Sequence, residues 1–291
     1  MPKVSVVIPC YNLGQYLDEA VDSVLGQSFQ DHEILVVNDG STDPFTQARV
    51  EAQRQKPGVQ VYTTDNQGLA ATRNFGIERA AGNYICCLDA DDRYHRQFLA
   101  ACVPLLDQDQ EQHLGFVTTM VKVFGEENAY WPCADFDPAA LLVENNVHVA
   151  SLFRKSCWQK VGGYDLALAG FQDWNFWIAI VAQGFRWARV KRPLFHYRVR
   201  SGSMLERSEQ RRRSLKKSIV ANHLDFFLTH APEVFDLYEE KLQQQQAASR
   251  QREVEVAKTA LAKLQQLFAE HQKLKQQHQT LIQAYSGKKR L

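Results

Sequence analysis

The chain has 291 residues, with 34 Lys and Arg against 33 Asp and Glu, so its net charge is +1. Hydrophobic residues make up 45% and aromatic residues 11%, and this composition excludes a disordered chain. The sequence has no run of about 18 or more apolar residues and no signal-peptide pattern at its start, so we expect no membrane-spanning helix and a cytoplasmic location.

The six cysteines are spread along the chain and include no CxxC pair. A disulfide framework or a zinc site normally has closely and regularly spaced cysteines. We therefore expect reduced, buried thiols.

Charge and turn residues divide the chain into two parts. Residues 1–204 have a net charge of −5 (18 basic and 23 acidic side chains), whereas residues 205–291 have +6 (16 basic and 10 acidic). Only one of the 15 glycines and one of the nine prolines lie beyond Met204. Because Gly and Pro mark turns, we predict a many-turned domain over residues 1–204 and a helical extension over residues 205–291.

Strand and helix patterns alternate along the first part. Short β-branched runs predict strands at Val4–Pro9, Glu33–Asp39, Val59–Thr64 and Asn83–Asp92. Apolar residues at helical spacing predict helices over residues 12–25 and 69–80. This alternation predicts an α/β fold, a Rossmann-like, mainly parallel sheet flanked by helices. Ligands of such sheets bind beyond the carboxyl ends of the strands, where the polar clusters of this sequence fall.

The acidic loop after the fourth predicted strand is the first chemical signal. Asp89 and Asp91 are two residues apart, so on an extended segment their carboxylates project to the same side. Mg²⁺ and Mn²⁺ take one or two carboxylates together with substrate phosphates. A metal site is therefore one interpretation, and a solvated acidic turn is the other.

Asp39 and Arg73 are the second signal. Asp39 ends the LVVND strand, where a carboxylate either caps the next helix or accepts the ring N–H of a uracil base. Arg73 lies near the start of a predicted helix, where a phosphate is also favoured, and its alternative role is a surface salt bridge.

Seven short motifs occur in a fixed order through residues 3–204. They are VSVVIPCYN, VVNDGSTD, NQGLAATRNFGI, AAGNYICCLDADD, VGGYD, FQDWNFW and HYRVRSGSM. As an ordered set, they resemble the family 2 inverting glycosyltransferases, whose fold is GT-A.

The resemblance implies a donor site at the strand ends. Its nucleotide-sugar-binding residues are Pro9, Tyr11, Asn12, Asp39, Arg73, Asp89 and Ala90. Asp39 matches the nucleobase-binding aspartate of the family. Asp89 and Asp91 match its D-x-D pair, the first directed toward the ribose or a metal-bound water and the second directly toward Mn²⁺ or Mg²⁺.

The resemblance also implies a catalytic base, Asp173, in the FQDWNFW motif. Many family members have Glu at the preceding position, where this chain has Gln172. Trp174 and its aromatic neighbours predict a desolvated carboxylate, although such residues are more often part of the core. Segment 131–146 lies where the family varies, so we expect it to contact the acceptor.

Basic residues late in the domain are candidates for binding the donor phosphates. Arg198 is predicted to bind the nucleotide sugar, and Arg200 is a second candidate. His196 is either a structural histidine or a metal ligand.

The C-terminal part predicts helices with two distinct surfaces. Six basic residues within 206–217 predict either a solvated face or attachment to the inner face of the membrane or to a phosphate-bearing acceptor. An apolar stripe from Leu215 to Phe227 predicts packing on the catalytic domain. A heptad pattern within 257–285 predicts either a coiled coil that joins copies of the chain or a single amphipathic helix. The seam residues are Leu264, Leu267, His271, Leu274, His278, Leu281 and Tyr285.

These patterns together predict a metal-dependent inverting glycosyltransferase that transfers a hexosyl or N-acetylhexosaminyl group. The donor is a nucleoside diphosphate sugar, with UDP preferred, and the acceptor is a hydroxyl of a glycan or glycolipid in polysaccharide biosynthesis. One alternative is a nucleotidyltransferase, but this sequence lacks the Gly-rich lysine loop that such an enzyme is expected to have near its N-terminus. Another is a non-catalytic nucleotide-binding scaffold that uses its helical arm for assembly. Nucleic acid is not an expected partner, because no binding motif accompanies the basic residues.

Overall fold

The computed structural model describes residues 1–132 and 135–287. Only the backbone is described for residues 250, 253–254, 256–257, 260, 264–265, 267–269 and 271–287. The chain forms two compact units, Met1–Val234 and Phe235–Leu291. The described part of the second unit is helical.

The first unit alternates strands and helices in the predicted order. The strands are β1 (Val4–Cys10), β2 (His32–Asp39), β3 (Val59–Thr64), β4 (Tyr84–Cys87), β5 (Arg93–Tyr94), β6 (Leu114–Gly125), β7 (Ala129–Trp131), β8 (Leu152–Arg154) and β9 (Arg186–Val199). The helices are α1 (Gly14–Leu25), α2 (Pro44–Gln53), α3 (Leu69–Arg79), α4 (Phe98–Gln108), α5 (Pro138–Val143), α6 (Lys155–Val161), α7 (Gln172–Ala182), α8 (Met204–Gln210), α9 (Arg212–Asn222), α10 (Leu224–Thr229) and α11 (Ala231–Gly287), which continues into the second unit.

Within the described residues the strands form one nine-stranded sheet in the order β3-β2-β1-β4-β8-β6-β9-β5, with β7 paired to β6. The β3-β2-β1-β4 half is parallel, as predicted. In the other half β8 is antiparallel to both β4 and β6, whereas β9 is parallel to β6. Across the part of the chain that the structure describes, antiparallel pairing is confined to the short strands β5, β7 and β8, so most of the paired length of the sheet is parallel, as predicted.

Strand alternation sends side chains of the sheet into two apolar layers. On β1, Val4, Val6 and Ile8 face the layer with α1 and α4, whereas Val7 faces the layer with α3 and α7. In the second layer, α3 approaches β1 closely at Gly76, where an added Cβ would lie only 2.4 Å from Cγ1 of Val7. Both faces of β1 are buried, as the continuous apolar run VSVVIP predicts.

Residues 205–234 belong to the first unit and pack against its second apolar layer. Leu215 and Ile219 on α9 are fully buried in the second apolar layer, and Phe226 and Phe227 pack against it. The predicted apolar stripe is confirmed by these contacts. The compact unit consequently extends 30 residues beyond the boundary expected at Met204.

The second unit continues α11. The predicted seam residues Leu264, Leu267, His271, Leu274, His278, Leu281 and Tyr285 lie outside the residues whose side chains are described. Across the described chain, no helix is both long enough and apolar enough to span a membrane.

The cysteines in the described residues are free and buried, as expected: Cys10, Cys86, Cys87, Cys102 and Cys157. Cys133 lies outside the described residues.

Candidate active site

A cleft of about 840 Å³ opens beyond the carboxyl ends of β1, β2 and β4. The parallel strands end at the same edge of the sheet, so the polar clusters that follow them meet there. The cleft is lined by nine of the predicted site residues: Pro9, Tyr11, Asn12, Asp39, Arg73, Asp89, Ala90, Asp91 and Asp173. The sequence separates the first and last of these by more than half the chain, and the fold brings them to one surface.

The loops after β1 and β2 are tied together by Asn12. Its backbone is in the left-handed region, with φ of 52°, which Asn tolerates better than most residues. Its side-chain Oδ1 accepts hydrogen bonds from the backbone N–H groups of Thr42 and Asp43, at 2.9 and 3.0 Å. The adjacent Tyr11 remains 46% exposed and borders the cleft. The cleft is therefore bordered by both an exposed aromatic ring and Asp39.

Asp39 is buried at the end of β2 and organises the loop before α3. Its Oδ1 accepts from the backbone N–H of Gln67 at 2.8 Å, and its Oδ2 accepts from that of Gly68 at 3.0 Å. Carboxylate oxygens can each accept more than one hydrogen bond. Asp39 therefore shapes the cleft wall and still has acceptor capacity for a ligand.

Each carboxylate of the D-x-D pair meets a guanidinium group. Arg73 Nη2 donates to Asp89 Oδ1 at 2.6 Å, and Arg200 Nε donates to Asp91 Oδ2 at 2.7 Å. Burial raises the pKa of Asp91, and the nearby charge of Asp89 raises it further. This end of the cleft therefore favours additional positive charge.

Asp92 lies beneath the pair. Its Oδ1 accepts from the backbone N–H of Arg198 at 2.7 Å, whereas its buried Oδ2 has no hydrogen-bond partner among the described residues. Burial raises the pKa of this carboxyl well above its usual range, and the charges of Asp91 and Asp89 add to the effect. Asp92 thus anchors β9 to the acidic loop.

Arg198 and Arg200 differ in what they contact. Arg198 Nε donates to the backbone carbonyl of Asp91 at 2.7 Å, and its guanidinium also pairs with Glu19 of α1. The described residues that line the cleft include Arg200 but neither Arg198 nor His196. Burial lowers the pKa of His196 to about 4. Arg198 therefore supports the acidic loop through the backbone of Asp91, and of the two residues only Arg200 lines the cleft.

Asp173 lies in the first turn of α7, which follows Phe171 in the left-handed backbone region, φ 53°. Its Oδ2 accepts a hydrogen bond from Asn145 Nδ2 at 2.9 Å. Burial raises the pKa of Asp173, whereas the charge of Arg73 and the amide of Asn145 oppose the increase. A carboxylate with a raised pKa is a stronger base than one in water.

The aromatic residues after Asp173 belong mainly to the core. Trp174, Phe176 and Trp177 are at most 1% exposed, and only Trp174 of these borders the cleft. Trp174 Nε1 donates to the backbone carbonyl of Leu141 at 2.6 Å. These contacts fix α7 and hence the position of Asp173.

Segment 131–146 borders the cleft through Trp131, Pro132, Glu144, Asn145 and Asn146. Cys133 and Ala134, within this segment, lie outside the described residues. Arg207 and Arg212, from the predicted basic cluster, also line the cleft. Asn145 belongs to the segment expected to contact the acceptor, but its hydrogen bond to Asp173 could not be predicted, because a loop asparagine carries no periodic or motif signal.

The two D-x-D carboxylates fit a divalent cation that shares its coordination with substrate phosphates. In the described part of the chain, no group of three or more His, Cys, Asp or Glu is arranged to hold a metal. Mg²⁺ and Mn²⁺ are nevertheless commonly bound through one or two carboxylates plus substrate oxygens. The donor set therefore fits a metal that arrives with its nucleotide, not an all-protein cage.

The model of glycosyl transferase family 2 matches residues 5–171, more than half of the chain. The chain belongs to glycosyl transferase family 2. This assignment makes the protein a glycosyltransferase, and the matched range covers, from Ser5 onward, the motifs up to VGGYD.

Relatives in this family are similar over part of their length. An uncharacterized glycosyltransferase of Haemophilus influenzae is 41% identical over 93 residues, which cover 32% of this chain and 37% of that protein. The chondroitin synthase of Pasteurella multocida is 28% identical over 188 residues, which cover 63% of this chain and 19% of that protein. A glycosyltransferase of Rickettsia felis matches over 21% of its own length. The chain thus spans a minor fraction of the curated relatives it matches.

Solved structures share the fold. Staphylococcus aureus TarS (residues 1–349), in complex with UDP-GlcNAc, superposes with a TM-score of 0.60 at 21% identity, covering 70% of this chain and 60% of that one. The mannosyltransferase PcManGT of Pyrobaculum calidifontis, in complex with GDP-Man and Mn²⁺, gives a TM-score of 0.57 at 21% identity, covering 72% and 61%. These similarities establish the GT-A fold.

Proposed function

We propose that this glycosyltransferase is metal-dependent and inverting, and that it moves a sugar from a nucleoside diphosphate sugar to a hydroxyl of a glycan or glycolipid. The observation that carries the proposal is the placement of Asp89, Asp91 and Asp173 in one cleft, with Arg73 between the first and the last. Donor activation and proton removal must occur on opposite sides of the same anomeric carbon. The cleft supplies a carboxylate for each task.

The proposed reaction is a single direct displacement. The acceptor oxygen forms a bond to the anomeric carbon of the donor while the bond from that carbon to the β-phosphate oxygen breaks. The bonding electron pair leaves with the diphosphate, and the hydroxyl proton passes to Asp173. Attack from the face opposite the diphosphate inverts the anomeric configuration.

Asp89 and Asp91 would hold Mn²⁺ or Mg²⁺ at the donor diphosphate. A bound divalent ion acts there as a Lewis acid that stabilises the negative charge of the leaving group. Arg200 lies against Asp91 and can pair with a phosphate when Asp91 takes up another cation. Arg198 supports this site through the backbone of Asp91, rather than by contact with the donor.

The nucleotide would occupy the loops after β1 and β2. Exposed Tyr11 offers a ring for stacking, and Asp39 retains acceptor capacity for a base N–H, which supports UDP. Pro9, Asn12 and Ala90 complete the wall. TarS structures contain UDP or UDP-GlcNAc, and PcManGT contains GDP-Man, so their similarity supports a nucleoside diphosphate sugar.

The division into a catalytic domain, 1–204, and a helical extension, 205–291, remains part of this proposal. Self-association would use the heptad pattern predicted within 257–285 of α11. The basic face that begins at Arg207 would contact an anionic membrane surface or a phosphate-bearing acceptor.

Thermal unfolding with nucleotides tests the donor site. The protein is heated with UDP, GDP, CMP or dTDP, each with Mn²⁺ or with EDTA. A ligand at 100 times its Kd should stabilise the fold by about 2.7 kcal/mol. We expect a Tm increase with UDP that requires Mn²⁺ and is lost in Asp91→Asn, but retained in the exposed control Asp31→Asn. An unchanged Tm with every nucleotide would overturn the proposal.

A further inference from the structure

The base of the proposed reaction has one side-chain amide as a hydrogen-bond partner. Asn145 Nδ2 lies 2.9 Å from Asp173 Oδ2, and both residues line the cleft. We infer that Asn145 is a positioning residue that holds Oδ2 of Asp173, so that Oδ1 is the atom that receives the acceptor proton. This inference rests on the proposed role of Asp173 as the base.

Two hydrogen bonds hold the segment that precedes Asn145. Trp174 Nε1 donates to the carbonyl of Leu141 at 2.6 Å, and Lys216 Nζ donates to the carbonyl of Val143 at 2.7 Å. The first donor is on the same helix as Asp173, and the second is on α9. The loop and the base therefore move together, which is the condition for a fixed hydrogen bond in a working site.

A held carboxylate is useful because displacement requires an aligned attack. The acceptor oxygen must approach the anomeric carbon in line with the departing phosphate oxygen, while its proton faces the base. A freely rotating Asp173 would present either oxygen. The Asn145 amide makes the two oxygens inequivalent and fixes the plane of the carboxylate.

Charged and titratable groups face Asp173 from several elements. They are Arg73 on α3, Asp89 in the acidic loop, Tyr164 before α7 and Tyr197 on β9, while Glu144 beside Asn145 and Arg212 on α9 line the same cleft. Burial raises the pKa of Asp173, and the two groups that chiefly oppose this are the charge of Arg73 and the amide of Asn145. The hydrogen bond favours the ionised form, which is the form that accepts a proton.

The test compares Asn145→Ala, Asn145→Ser and Asn145→Asp with the wild type. The matched control is Asn222→Ala, which removes another Asn–Asp hydrogen bond of 2.9 Å, to Asp165, away from the cleft. The Asp173 carboxyl carbon is titrated by NMR in aspartate-labelled protein and assigned with Asp173→Asn. In parallel, UDP release from UDP-GlcNAc with Mn²⁺ is measured from pH 4 to 9.

Loss of the amide should raise the pKa of Asp173 by about one unit in Asn145→Ala and Asn145→Ser. The acid limb of the rate profile should move to higher pH by the same amount, because the protonated base is inactive. The kcat should fall about 10- to 100-fold, with donor KM unchanged. Asn145→Asp should shift the pKa further, because it places a like charge beside the base. Asn222→Ala should leave both the titration and the profile at wild-type values.

An unshifted titration of Asp173 in the folded Asn145 variants would overturn the inference, even where donor turnover is too slow to follow. Failure of the proposed function has a different signature, since Asp173→Asn would then retain wild-type turnover.

Discussion

We predict that the charge of Arg73 stabilises Asp89 at the proposed donor site and Asp173, the proposed base. It is 2% exposed, and its guanidinium lies 2.6 Å from Asp89 and close enough to Asp173 to lower the pKa of that carboxyl. Arg73→Met keeps the length and apolar stem of the side chain and removes the charge. Breaking a buried ion pair by removing one partner costs about 3 to 5 kcal/mol.

We expect a loss of about 3 kcal/mol in the free energy of unfolding, the lower end of that range, because 26% of the Asp89 side chain is exposed and water can solvate it. Asp89→Asn alone should also destabilise, since it leaves Arg73 buried without its charged partner. The double variant should then lose about 1 to 3 kcal/mol less than the sum of the single losses, because the two residues interact directly.

Urea unfolding of the four proteins at pH 7.5, in EDTA and low salt, measures this coupling. The control pair is Lys3→Met with Asp107→Asn, a more exposed ion pair of 2.7 Å, which should couple by less than about 1 kcal/mol. Losses at Arg73 and Asp89 that add to within about 0.5 kcal/mol would show that the two charges act independently. Arg73 would then not couple Asp89 at the proposed donor site to Asp173, the proposed base.

Two further predictions concern stability. Ile219→Ala should lower the free energy of unfolding by about 3 kcal/mol, because Ile219 on α9 is fully buried. The control is Lys217→Ala, at an exposed position of the same helix. A loss at Ile219 no larger than that of the control would show that α9 is not part of the folding unit. Burial lowers the pKa of His148 to about 3, so its stabilising contribution is complete above pH 6.5 and is lost as pH falls toward 3. Between pH 7 and 5 the wild type should lose about 1 to 2 kcal/mol more than His148→Gln, and parallel stability curves would contradict this.

The parallel half of the sheet could be predicted because its strands are buried on both faces. VSVVIP and ILVV are short runs rich in β-branched apolar residues, and the structure forms β1 and β2 at those places. The mixed half could not be predicted in the same way. The pairing of β9 with β6 has three register shifts, and β8 has only three residues, so neither gives a clear sequence period.

The order of the motifs predicted the cleft, but it did not predict which residues each side chain contacts. Arg198 and Arg200 look equivalent in sequence, yet β9 ends at Val199 and Glu19 of α1 pairs with Arg198, so only Arg200 faces the cleft. Asn145 meets Asp173 across 28 positions of chain, through a loop without periodicity. Such long-range pairings depend on tertiary packing, which no local pattern encodes.

The central claim is that a single carboxylate, Asp173, removes the acceptor proton after the donor has bound. Asp173→Asn preserves the size of the side chain and removes its basicity. Donor binding by calorimetry and donor turnover by nucleotide release, measured on the same preparation with Mn²⁺, separate the two roles. We expect a donor Kd within about twofold of the wild type and turnover reduced about 10²- to 10⁴-fold. Turnover at the wild-type rate in Asp173→Asn would contradict the account.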